Sequence, residues 1–178
     1  KRKTIAQQVD NLLDKVTHDE LTLFVREHAA KNAQFRDLLL ASFAQYNPDE
    51  SKALYAKQIK ALIKVARGKY GLIDSSGAKY ISKEISSMLS LAERYLSQGN
   101  HKSAFFICTA IMDELISALL CADDREGVLG NTIYAAYNTL SAIASEEPSK
   151  AVREQILKYC FTSFDKRTFA GWDWHIGL

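Results

Sequence analysis

The segment Leu91–Leu120, LAERYLSQGNHKSAFFICTAIMDELISALL, constrains the fold most. Two helical patterns meet at Gln98-Gly99-Asn100-His101, a connection of only four residues. So short a link between helices forces them to lie antiparallel. Gly99 supplies the left-handed conformation that ends a helix and reverses the chain. The second limb, Lys102–Ala122, is apolar on nearly all sides, which predicts a central helix covered on several faces.

Helical periodicity runs through the rest of the chain. Ile5–Val16 carries Ile5, Val9, Leu12, Leu13 and Val16 on one face. Thr17 with Glu20 three positions later reads as a capping box that opens a helix over Asp19–Ala30, burying Leu21, Phe24, Val25 and His28 or Ala29. Further helices are expected over Ala33–Tyr46, Ser51–Arg67, Tyr80–Ser97, Asn131–Ala144 and Ser149–Phe164. Asn47-Pro48-Asp49 is a turn and a new helix start, Gly68–Gly71 ends a helix, Asp74–Gly77 starts the next, and Glu146-Glu147-Pro148 separates the last two. Asp123–Gly127 reads as an exposed loop, and no segment reads as a strand. The expected fold is all-α, with seven to nine helices in antiparallel pairs forming an irregular, right-handed α–α array. Residues 1–178 are read as one helical-repeat domain and as a piece of a longer protein. Its pairs are 5–46, 51–97, 79–122 and 131–164, and 169–178 begins a further helix.

Composition narrows the class. Apolar residues make up 47% of the chain, with 2 Pro and 8 Gly, a composition that can bury a core. The apolar run Ala104–Met112 is closed by Asp113 and Glu114, too short to span a bilayer. Lys1-Arg2-Lys3 leads into a polar stretch, so no secretory leader is read, and a cytoplasmic home with no membrane contact is expected. Cys108, Cys121 and Cys160 are odd in number, widely spaced and flanked by apolar residues, which predicts reduced core thiols. Residues 1–83 hold 15 Lys/Arg against 9 Asp/Glu, whereas residues 84–178 hold 8 against 12. The first half is basic and the second acidic.

Two resemblances follow from particular residues. Ala92, Tyr95, Gly99 and Ala104 stand at the spacings of a tetratricopeptide hairpin, so the segment resembles one TPR unit, with no 34-residue recurrence after it. LTLFVREHAAKNAQFRDLLLASF (Leu21–Phe43) and Gly171-Trp172-Asp173-Trp174 resemble the helical region that accompanies SWIM-type zinc fingers in bacterial proteins. That resemblance implies a helical interaction module beside a finger. The finger's own Cys-x-Cys and Cys-x-His signature is not in this sequence.

Lys57, Lys60, Lys64 and Arg67 fall at helical spacing on one face, with no acid between Ser51 and Ile73. They form a candidate face for an anionic partner, nucleic acid included; the same pattern also describes a plain solvated face. Tyr134 and Tyr137, and Trp172 and Trp174 at the aromatic C-terminal segment, are candidate protein contacts. That segment is expected to pack on the preceding helix and to leave an apolar patch able to drive weak self-association. Asp113 lies in the most apolar helix and would need a Lys or Arg from another helix if buried. His18, His28, His101 and His175 are scattered, with no partner at triad or metal spacing. No catalytic residue, cofactor or metal is expected. The leading expectation is a non-enzymatic scaffold that holds a protein or peptide between helix pairs. The alternative is a nucleic-acid-associated domain using the Lys57–Arg67 face.

Overall fold

The computed structural model describes residues 4–43 and 51–172. Among them are eight α-helices and no strand. The chain divides into two units, Lys1–Ser42 and Phe43–Leu178.

The first unit holds α1 (Ile5–Leu13), α2 (His18–Lys31) and α3 (Ala33–Ser42). Its helix starts are well specified. Thr4 and Gln7 form a capping box on α1, and Thr17 and Glu20 form the expected one on α2. The backbone N–H of Thr17, then its hydroxyl, hold the Glu20 carboxyl below its ordinary value. Asn32 accepts from the Phe35 N–H and opens α3. The apolar stripes are not covered, however. Ile5 is 81% exposed and Phe24 62%, and Leu21, expected in a core, is exposed as well. Three short helices enclose too little volume for a core of their own. Within the unit, His28 stacks on Phe24 and meets the edge of Phe35.

The second unit holds α4 (Ser51–Ala66), α5 (Ser75–Ser97), α6 (His101–Leu119), α7 (Val128–Ser145) and α8 (Lys150–Asp165). α6 packs on α4, α5 and α7, and more lightly on α8. Ile107–Met112 are six consecutive buried residues. At about 100° per residue they sweep the full circumference of the helix, so neighbours surround it. Thr109, buried here, donates to the Phe105 carbonyl at 2.9 Å. Burial pushes the Cys108 thiol up to about 12, so it stays protonated and inert. Cys121 and Cys160 are free thiols too, but only half-buried, because each lies at a helix end or flank. Packed on this axis are Ile59, Ile81, Ile85, Leu129, Ile133 and Ile143, all fully buried.

The connections are built from specific contacts. α5 starts at Ser75, within the Asp74–Gly77 stretch that reads as its start, and Asp74 caps it by accepting from the Gly77 N–H at 2.7 Å. That hydrogen bond, with one from Ser76, holds the Asp74 carboxyl below its usual range. Gly77 lies inside the helix because a Cβ there would meet the Ala66 carbonyl at 2.9 Å. The α4–α5 loop is stitched to the α6–α7 loop through Ile73. Its N–H donates to the Cys121 carbonyl at 2.9 Å, and its carbonyl accepts from the Asp123 N–H at 2.7 Å. The Asp123–Gly127 loop is more ordered than its polarity suggested. Asp124 accepts from the N–H groups of Leu129 and Gly130, both at 2.9 Å, and thereby caps α7 three residues earlier than expected. Glu126 bonds Ser75 and Lys79 on α5.

After α8, residues 166–172 run as consecutive turns. Phe169 is 0% exposed, as its apolar character requires. Trp172 is half-buried and reaches the start of α7, where its ring would lie 3.7 Å from a Cβ on Gly130. Most of the further helix expected over 169–178 lies outside the described residues, as do residues 44–46 of the third expected helix.

The α5–α6 reversal has a local geometry that can be tested. Gly99 sits at φ +72°, the Asn100 N–H donates to the Tyr95 carbonyl and the Gly99 N–H to the Leu96 carbonyl, both at 2.8 Å. This is the Schellman pattern. A Cβ at Gly99 meets nothing within 4 Å, so its cost is purely that of the backbone conformation. Gly99→Val should lower stability in urea unfolding by about 1–2 kcal/mol or more, and Gly99→Asn by clearly less.

Candidate functional site

Asp113 is the chemical centre of the second unit. It lies on the helix that is otherwise most apolar, where an unpaired carboxylate would be costly. Two helices answer it. Lys52 of α4 brings its Nζ to 2.8 Å from Oδ2, and the Tyr159 hydroxyl of α8 donates to Oδ1 at 2.9 Å. The Lys52 ammonium also stands 5.1 Å from the centre of the Tyr159 ring. Burial first, then the Asp113 charge, holds the Tyr159 phenol well above its ordinary value, so it remains a donor. Phe105 of α6 meets that ring edge-on at 6.2 Å.

This network forms one wall of a groove between α6 and α8. The groove has a volume of about 490 Å³. Phe105, Phe106 and Tyr159 give it an aromatic floor, and Thr162, Ser163 and Thr168 add hydroxyls. Lys158 and Lys166 of the α8 side stand at its rim with Lys52. Lys158 and Lys166 are exposed, and among the described residues neither has an ion pair. Lys102 lies over the Phe106 ring at 5.7 Å. Gln155 also lines the groove, and its buried Oε1 has no donor among the described residues. Neither the groove nor its rim was legible as a site in the sequence. Lys158, Tyr159, Thr162 and Lys166 do share a helical face, but Phe105, Phe106 and Lys52 come from two other elements.

The basic face of α4 is placed as its spacing required. Lys57, Lys60, Lys64 and Arg67 are all exposed. Three of them, Lys60, Lys64 and Arg67, line a shallow hollow of about 280 Å³ against α6. The local sequence is free of acids, but the fold brings one in: Glu114 of α6 pairs with Lys60 at 3.3 Å. Arg67 is also engaged, its Nη2 lying 3.7 Å from the Cys121 sulfur.

The other candidates are separate from both. Tyr134 is exposed and Tyr137 half-buried on α7, their rings stacked at 6.1 Å between centres. Trp172 lies beside Gly130, and Trp174 falls outside the described residues. Of the C-terminal aromatics expected to leave an apolar patch, Phe169 is buried, Trp172 is half-buried and Trp174 lies outside the described residues; a separate exposed apolar stripe is found on α8. Leu157, Phe161 and Phe164 lie there at helical spacing, with Phe161 67% exposed. His101 opens α6 and meets Glu146 at 3.2 Å, a contact between helix ends. Among the described residues no group of His, Cys, Asp and Glu could hold a metal ion, and no helix is long and apolar enough to cross a membrane.

The Asp113 network predicts a graded response. Asp113→Ala leaves the Tyr159 hydroxyl without its acceptor and should cost about 1–3 kcal/mol in chemical denaturation. Asp113→Asn keeps an acceptor and should cost less. A double-mutant cycle with Tyr159→Phe should show coupling of about 0.5 kcal/mol or more, and strict additivity would separate the two groups.

No protein-family model matches the chain, and neither does any curated protein or solved structure.

Proposed function

We propose that the chain is a non-enzymatic helical scaffold that holds a protein or peptide partner in the groove between α6 and α8. One observation carries this reading: the groove of about 490 Å³ presents an aromatic floor beside polar groups drawn from three helices. A site of that size takes a few side chains of a partner, and aromatic residues supply contact area at little entropic cost. The uncovered stripe of Leu157, Phe161 and Phe164 adds a second apolar surface on another face of α8. In this reading the helices form an irregular, TPR- or HEAT-like array, and the protein works in the cytoplasm as an interaction module.

The test is to fill the groove. Thr162 is exposed and lines it, so Thr162→Trp occludes the groove without disturbing the core. Peptides selected from a random display library on the wild-type protein should lose binding at least tenfold on the variant, with the melting temperature unchanged. Equal binding by the variant would overturn the groove as the docking site.

A second reading rests on the four exposed cations Lys57, Lys60, Lys64 and Arg67, on α4 and just past its end. They would meet nucleic-acid phosphates as point charges, giving a strongly salt-dependent contact. The Lys60–Glu114 pair reduces the free charge of that face. Under this reading wild type retards DNA or RNA in a gel at low salt, and Lys60→Glu with Lys64→Glu abolishes it. No retardation at low salt would remove it.

A further inference from the structure

The groove between α6 and α8 also carries information about what it selects. It has three lysines, Lys52, Lys158 and Lys166, and one carboxylate, Asp113. Asp113 and Lys52 neutralise each other at 2.8 Å, with Tyr159 occupying the second carboxylate oxygen. Lys158 and Lys166 remain, exposed and without an ion pair among the described residues. The rim is therefore positive, although this half of the sequence is acidic overall. The floor beneath it is aromatic, through Phe105, Phe106 and Tyr159.

The spacing narrows the ligand further. Lys158 and Lys166 are eight positions apart, about 12 Å along a helix at 1.5 Å per residue. An extended peptide covers that span in about four residues, and alternate side chains point the same way. Two acids at positions one and five of such a peptide would reach the two lysines, and the side chain at position three would point between them at the floor. Gln155 lines the same groove. Its Oε1 has no donor among the described residues, so turning it toward a peptide N–H sacrifices no hydrogen bond within them.

We propose that the groove is a docking site for an acidic peptide of a partner protein, in extended form, with an aromatic anchor between two carboxylates. This rests on the reading of the chain as a peptide-holding scaffold and names the chemistry of the peptide. The charges set specificity and speed of encounter, and the anchor supplies the buried area.

The probe is a short fluorescein-labelled peptide of pattern Glu-Ser-Phe-Ser-Glu, measured by anisotropy on the intact chain at low and moderate salt. Two further peptides carry Gln for both Glu, or Ala for Phe, and a single-stranded oligonucleotide serves as competitor. The acidic peptide should bind, and either replacement should weaken it at least tenfold. Lys158→Glu with Lys166→Glu should abolish binding with an unchanged melting curve, because both side chains are exposed. Lys158→Arg with Lys166→Arg should retain it. If the Gln peptide binds as well as the Glu peptide, the acidic specificity falls and the scaffold reading stands. Should neither peptide bind, and Thr162→Trp leave selected peptides bound as before, both fall. Displacement by the oligonucleotide at lower concentration than by unlabelled peptide would overturn the proposal in favour of nucleic acid.

Discussion

The second unit depends on the burial of α6. Six consecutive residues, Ile107–Met112, have no access to solvent, so every side of the helix must be supplied with a neighbour. Fully burying side chains such as Ile107, Ile111 and Met112 contributes on the order of 1.5–3 kcal/mol each. α4, α5 and α7 take their positions from that requirement. The first unit shows the converse. α1, α2 and α3 have good caps and amphipathic patterns, yet no residue of Lys1–Ser42 among those described is buried, because no all-round apolar helix stands among them.

The order of the helices around α6 is then held by short polar devices rather than by more apolar area. The Schellman turn at Gly99 fixes the α5–α6 reversal. Ile73 joins two loops that lie far apart in sequence by one donor and one acceptor. Asp124 and Glu126 convert an acidic loop into a cap for α7 and a tie to α5. The Schellman turn satisfies carbonyls at the end of α5, and Asp124 satisfies N–H groups at the start of α7, groups that a helix end otherwise leaves unpaired.

The candidate site arises where this arrangement admits charge. Asp113 sits at the partly exposed edge of α6, its side chain 37% exposed, and Lys52 and Tyr159 converge on it from two helices. The same convergence brings aromatic and cationic side chains to the α6–α8 groove. The need for a cationic partner at Asp113 was legible, since a carboxylate in an apolar helix requires one when it is sheltered. Which lysine answers was not, because Lys52 is 61 positions away. The Lys57–Arg67 face was legible in full, as spacing along one helix is a local property. The Glu114 that partly neutralises it was not, since it belongs to another element.

The sequence by itself determined the local properties of this protein. The all-α class, the Gly99 reversal, the Thr17–Glu20 cap and the central character of α6 follow from periodicity, turn chemistry and side-chain polarity within a few residues. Tertiary structure decided what depends on distance in space. It made Gly77 necessary inside α5, where a Cβ would meet the Ala66 carbonyl at 2.9 Å. It drew Phe169 into the interior and left Leu157, Phe161 and Phe164 of α8 exposed. Within the first unit it gave the stripes of α1 and α2 no core to enter. A pattern states which face of a helix is apolar, but only packing supplies the surface that takes it out of water.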